Sequence, residues 1–246
     1  MSRRSDGDLG HGTPMELGRV VLIGLFVTAL VTSQLTASKL LAFQLPFAIP
    51  VTGSTLVMPG AALAYALTFF ATDCYSELYG RKPAQLLVNV GFVMTLVMLV
   101  LVWSTIYAPT APFSPVGAET FATVLGSSTT IVLGSLLAYV VSQNWDVLVF
   151  HALRRRTEGA HLWLRNVGST ASSQLLDTVI FVTVAFHFGP LLLGGRVTSW
   201  AGIASLVVGQ YVLKLLIALV DTPFVYLVTG YLGRRTGTGA VAGRAD

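Results

Sequence analysis

Polar side chains recur at helical spacing inside otherwise apolar runs, and their types suit hydrogen bonding to a small molecule more than bond-breaking chemistry. Asn166, Ser169, Thr170, Ser173, Gln174 and Asp177 recur at spacings of three and four, which lines them along one face of a helix. Ser135, Tyr139, Ser142, Gln143 and Asp146 repeat the pattern upstream. Downstream, Gln210, Lys214 and Asp221 precede Pro223; Lys214 and Asp221 share a face but stand about 10 Å apart along the axis, so each needs a partner elsewhere. Asp73 and Glu77 are one turn apart with Arg81 continuing their face, while Thr28, Thr32 and Thr36 form a milder stripe reaching Lys39, with Gln34 on another face.

Catalytic patterns are scarce. His11, His151, His161 and His187 are scattered without paired spacing, so no metal site is expected. Neither a phosphate-binding glycine loop, a dinucleotide fingerprint nor a nucleophile elbow is present, and Cys74 is the single cysteine, which excludes intramolecular disulfides and multi-cysteine metal motifs. No cofactor is expected, and an enzyme is disfavoured because no nucleophile and base pair up.

The elements that must position these groups are membrane helices. Charged residues make up 11% of the chain against about a quarter in a soluble domain, and the mean hydropathy of +0.74 agrees. A bilayer core takes about 20 apolar residues per helix, so 246 residues hold roughly five to seven spans and no soluble domain. Apolar runs predict spans over 17–43, 56–77, 84–107, 121–149, 167–188 and 201–231, separated by breakers such as Pro46, Pro50, Gly80, Pro109, Pro112, Pro115, Gly189 and Pro190. The fold class is therefore all-α: a polytopic membrane protein with six helices over 17–231, flanked by disordered cytoplasmic tails at 1–16 and 232–246. Arg3, Arg4, Arg19, Arg81, Lys82, Arg154, Arg155, Arg156, Arg165, Arg234, Arg235 and Arg244 fall on one side and Arg196 alone on the other, which puts both termini inside. The net charge of +4 is thus topological, and no nucleic-acid partner is expected.

An Asp or Lys at the centre of a span costs about 2.5–3.5 kcal/mol on insertion scales, so such residues face a cavity or a partner. Helix packing through Gly168 with Ser172 and Ser169 with Ser173 is the structural alternative for the Asp177 stripe, and an ion pair with Asp177 or Asp146 the alternative for Lys214.

The stretch from Ala71-Thr72-Asp73 to Gly80-Arg81, the segment Ser142-Gln143-Asn144-Trp145-Asp146-Val147 with Phe150, the run Arg165-Asn166 to Asp177-Thr178, and Tyr211 to Lys214 resemble the queuosine precursor transporter family, also called vitamin uptake transporters. The likeness runs from the first span to the last; where many members have Asn in the first span this chain has Gln34. It implies import, across the cytoplasmic membrane, of 7-deazaguanine bases such as 7-cyano-7-deazaguanine for salvage into modified tRNA. A guanine-like edge presents adjacent N–H donors that a carboxylate accepts, while an amide reads the carbonyl. The expected binding residues are Asp177, Gln174, Asn166, Ser173, Asp146, Gln143, Lys214, Gln210, Asp73 and Gln34, with Tyr139, Tyr211, Phe181 and Phe70 as candidate stacking rings. A substrate-capture subunit of an ATP-driven uptake system for a vitamin-like molecule is the alternative. Proton coupling through a buried carboxylate and a homodimer both stay open.

Overall fold

The computed structural model describes residues 14–157 and 162–235; Arg3, Arg4, His11, His161 and Arg244, with most of both expected tails, lie outside the described residues. The chain is a multi-pass, all-α membrane protein with one small hairpin. Helix α1 (Pro14–Thr36) starts on a proline whose missing N–H costs nothing in a first turn. Strands β1 (Leu40–Ile49) and β2 (Gly53–Pro59) follow as an antiparallel hairpin, then α2 (Ala62–Tyr79) and α3 (Arg81–Tyr107). Helix α4 (Ala118–Gly126) leads into α5 (Ser128–Arg156), and α6 (Leu162–Thr183) passes through a π-helical turn, Val184–Phe188, into the short α7 (Gly189–Leu193). The long α8 (Trp200–Arg235) closes the bundle with Pro223 inside it.

The hairpin shortens the first two expected spans. Residues 40–43 and 56–59 are apolar enough to extend a helix, but they are strands. A short apolar run carries no periodicity that separates the two states. Burial alternates in β2, where Leu56 and Met58 are covered. Pro46 has no N–H to give, and the ladder is interrupted between Gln44 and Ile49. The reversal needs positive φ at Val51 (77°) and Gly53 (63°). A consequence for topology is that Lys39 sits in the turn after α1, at the same end of the bundle as Arg196, instead of within a span.

Strand edges in a bilayer must be buried in protein. Here β2 lies on α8, with Leu56, Met58 and Ala62 packed against Val212 and Leu213. The Val57 backbone approaches α8 at Gly209, where any Cβ would collide with the Val57 carbonyl. The base of the hairpin is closed by a hydrogen bond from Gly60 N–H to the Lys39 carbonyl (2.6 Å).

Gly80 (φ 92°) makes the sharp corner between α2 and α3. Near the other end, Pro190 cannot donate to the Phe186 carbonyl one turn back; that carbonyl instead accepts from Thr198 N–H at 2.9 Å. His187 Nδ1 and the Thr198 carbonyl lie 2.7 Å apart, so the segment returning to α8 is pinned on the π turn.

Among the described residues, five helical stretches are long and apolar enough to cross a membrane: Glu16–Thr36, Arg81–Tyr107, Ala118–Arg156, Val167–Leu193 and Trp200–Ile217. Helix α2 has 18 residues but carries Asp73 and Glu77, which hold it below that level of hydropathy. Without a hydrophobic drive in lipid, these helices associate by close packing. Gly91 lets α3 approach Phe26 and Leu30 of α1, and Gly134 lets α5 meet Ala185. Two buried clusters result. Leu22, Phe26, Leu30, Ala71, Cys74, Tyr75, Ala84 and Leu87 fill the end nearest the N-terminus, while Ala37, Ala61, Ile131, Val182, Ala185, Phe186, Ile203 and Leu206 fill the hairpin end. The polar interior lies between them.

Candidate functional site

A cavity of about 200 Å³ is lined by α1, the end of β2, α2, α3, α5, α6 and α8. That is below the roughly 300–1,000 Å³ of drug-sized ligand pockets, so it suits a small molecule. Its charged centre is an ion pair: Lys214 Nζ stands 2.7 Å from Asp177 Oδ2, with the two side chains 7% and 19% exposed. Lys214 also donates to Gln174 Oε1 at 3.1 Å, and the Ser142 hydroxyl donates to Asp177 Oδ1 at 3.4 Å. The pairing of Lys214 with Asp177 rather than Asp146 follows from depth. Asp146 lies nearer the basic end of α5, where it accepts from the Ser173 hydroxyl at 3.2 Å.

The polar stripe on α6 therefore divides its work. Ser169 and Ser173 are buried, Ser173 bonds Asp146, and Trp145 Nε1 donates to Ser172 at 3.2 Å, so this part of the stripe seals α6 onto α5. Gln174 and Asp177, further along, face the cavity. Packing and cavity lining are thus both properties of one helix.

Gln34, Tyr139, Gln143, Gln174, Asp177, Phe181, Gln210 and Lys214 all line the cavity. Asp73 and Tyr211 line an adjacent hollow between α2, α6 and α8, which shares Phe69, Gln174 and Lys214 with the first. Phe70 packs against the cluster of α1, α2 and α3. Asp146 and Ser173 meet on the α5–α6 seam outside the cavity lining, and the side chain of Asn166 falls outside the described residues, as does that of Asp221. On α1, the threonine stripe faces outward, with Thr36 satisfied by the Thr32 carbonyl at 2.8 Å; Ser33 and Gln34 turn inward instead. Gln34 Oε1 accepts from the Ser135 hydroxyl at 3.3 Å.

Several lining residues carry a signal that the pattern of charged groups hid. Tyr65, Thr68, Phe69 and Thr72 share one face of α2 at steps of three and four. The Tyr65 and Phe69 rings meet edge to face at 5.0 Å, and the Phe92 and Tyr139 rings lie tilted by 38° at 4.3 Å, so two aromatic pairs stand on the walls. The Tyr139 hydroxyl bonds Asn89 (2.9 Å) and Gln85, two amides of α3 that hold the ring in place. The threonine hydroxyls bond carbonyls of their own helix, Thr68 to Tyr65 and Thr72 to Thr68 and Phe69.

A family model described as "Putative vitamin uptake transporter" matches residues 59–228. The chain belongs to that transporter family. The matched region holds α2 through most of α8 and so all of the cavity wall except the part given by α1. A curated "Probable queuosine precursor transporter" of Bacillus subtilis (strain 168) is similar to this transporter, 38% identical over 164 residues that cover 66% of this chain and 67% of that protein. No solved structure matches significantly.

Proposed function

We propose that this transporter imports 7-deazaguanine bases, precursors of queuosine or archaeosine such as 7-cyano-7-deazaguanine, for salvage into tRNA. The observation that carries the reading is the Lys214–Asp177–Gln174 group inside a cavity with aromatic walls. The name of the Bacillus subtilis relative supports the same substrate class.

A guanine-like edge offers a carbonyl, a ring N–H and an amino group in a row, which is acceptor, donor, donor. An ammonium has three N–H donors, and Lys214 gives two of them to Asp177 and Gln174. One is left for the carbonyl. A carboxylate has about four acceptor positions, and Asp177 uses two, for Lys214 and Ser142. Two are left for the ring N–H and the amino group. The ligand can therefore dock without breaking the ion pair, and a neutral base meets a site whose charges already cancel. The rings of Tyr65, Phe69, Tyr139 and Phe181 supply faces and edges for a flat molecule.

Reconstitution of the purified protein alone in liposomes tests the reading, with labelled 7-cyano-7-deazaguanine outside. Accumulation up to equilibrium is expected. Binding without passage would identify a capture subunit that needs an ATP-driven partner, and no interaction at all would remove the substrate assignment.

The six-span arrangement with both termini on the cytoplasmic side belongs to the same proposal, α2 serving as the span that the hydropathy of its second half obscures. Arg19, Arg81, Lys82 and Arg154 to Arg156 then share the inner side, with Lys39 and Arg196 outside. In a Cys74→Ala background, a cysteine replacing Arg196 is expected to react with an impermeant maleimide added to intact cells, while one replacing Lys82 is not. The reverse labelling would invert the protein.

A further inference from the structure

Gln210 lies on α8 one turn from Lys214 and 7% exposed, with its Oε1 facing no donor. It lines the same cavity. Three other lining acceptors are engaged: Gln34 by Ser135, Gln174 by Lys214, and Asp177 by Lys214 and Ser142. A buried acceptor left unmade is costly, so an orphan oxygen on a side chain that lines a binding cavity points to a donor on the ligand, met by rotation of the amide.

The identity of that donor follows from distance and chemistry. Four residues of helix separate Gln210 from Lys214, a rise of about 6 Å, so Gln210 stands one turn along the cavity from the ion pair, toward the far end of a base docked there. With its guanine-like edge on Asp177 and Lys214, a deazaguanine base has two N–H left: the second amino hydrogen, beside that edge, and the N–H of the five-membered ring, the one at the far end. That nitrogen is where a ribose is attached in the nucleoside. We propose that Gln210 is a specificity-determining residue whose Oε1 accepts the five-membered-ring N–H of the free base, so that forms ribosylated or alkylated on that nitrogen are rejected. The inference rests on the proposed transport of deazaguanine bases and deepens it. Rejection is reinforced by bulk, because a group attached to that nitrogen would stand where the Gln210 side chain lies.

The test is competition for uptake of labelled 7-cyano-7-deazaguanine into liposomes holding the full-length protein. The competitors are the unlabelled base and the same base methylated on the five-membered-ring nitrogen. For the unaltered protein the free base is expected to inhibit at least about tenfold more strongly than the methylated one. In Gln210→Met, which keeps the length of the side chain but not the acceptor, affinity for the free base is expected to fall about tenfold and the preference to shrink to the steric part. Equal inhibition by the two compounds in the unaltered protein, with uptake intact, overturns the inference and leaves the transport reading standing. A full preference surviving in Gln210→Met overturns the role of Gln210. Absence of any uptake overturns the transport reading, and this inference with it.

Discussion

Asp177→Asn is expected to lower uptake of a labelled deazaguanine base at least a hundredfold and to destabilise the protein at the same time. Lys214 is 7% exposed and reaches Asp177 at 2.7 Å, deep in α8. Removing one partner of such a pair leaves an uncompensated buried charge, at a cost of about 3–5 kcal/mol, whereas removing both is close to neutral. The asparagine also turns one of the two ligand-facing acceptor oxygens into a donor, which opposes the N–H groups of a guanine-like edge; about 3 kcal/mol of lost interaction corresponds to roughly a hundredfold. The two contributions separate in the double variant Asp177→Asn with Lys214→Met. Its thermal midpoint in detergent should return toward that of the unaltered protein, because the stranded ammonium is gone, but uptake should stay lost. Recovery of uptake in the double variant would show the pair to be structural only, and transport by Asp177→Asn at the ordinary rate would remove Asp177 from the site.

How much of this site could be read from the residues depends on how each helix advertises itself. Gln174, Asp177, Gln210 and Lys214 stand out because a charged or amide group in an apolar run is expensive unless something faces it. Tyr65 and Phe69 do not, because an aromatic ring in a membrane helix is as consistent with packing as with a binding wall, and only the neighbouring helices decide which it is. The stripe on α6 was legible as a stripe, but its division between the seam with Asp146 and the cavity with Lys214 depends on how far along α5 and α8 those partners lie. The helical class of the fold follows from composition. The hairpin does not, since Leu40–Phe43 and Leu56–Pro59 are too short and too apolar to show a period of two against one of 3.6. What could be noticed beforehand is Gly209, a flexible residue in the middle of a long helix, where a glycine weakens the helix by about 1 kcal/mol and so asks for a packing reason.

That reason makes the sign of a substitution informative. In an unobstructed helix interior, Gly209→Ala would stabilise by about 1 kcal/mol through reduced backbone freedom. Here the added Cβ would run into the Val57 carbonyl, a backbone atom of β2 that no rotamer change can move aside. Either the hairpin or α8 must shift, and both bear on the cavity, the first through Pro59, Ala61 and Ala62 and the second through Gln210 and Lys214. Overpacking of this kind costs about 1–3 kcal/mol and more when backbone has to move, which for a chain of this size is a fall of roughly 5–10 °C in thermal midpoint for Gly209→Ala. Gly209→Val, with a branched side chain in the same place, is expected to fall further and to lose most uptake. Thermal unfolding in detergent alongside liposome uptake measures both effects. A midpoint that rises in Gly209→Ala with uptake unchanged would mean that β2 is not seated against α8 in the membrane, and the outer wall of the cavity would then have to be drawn without the hairpin.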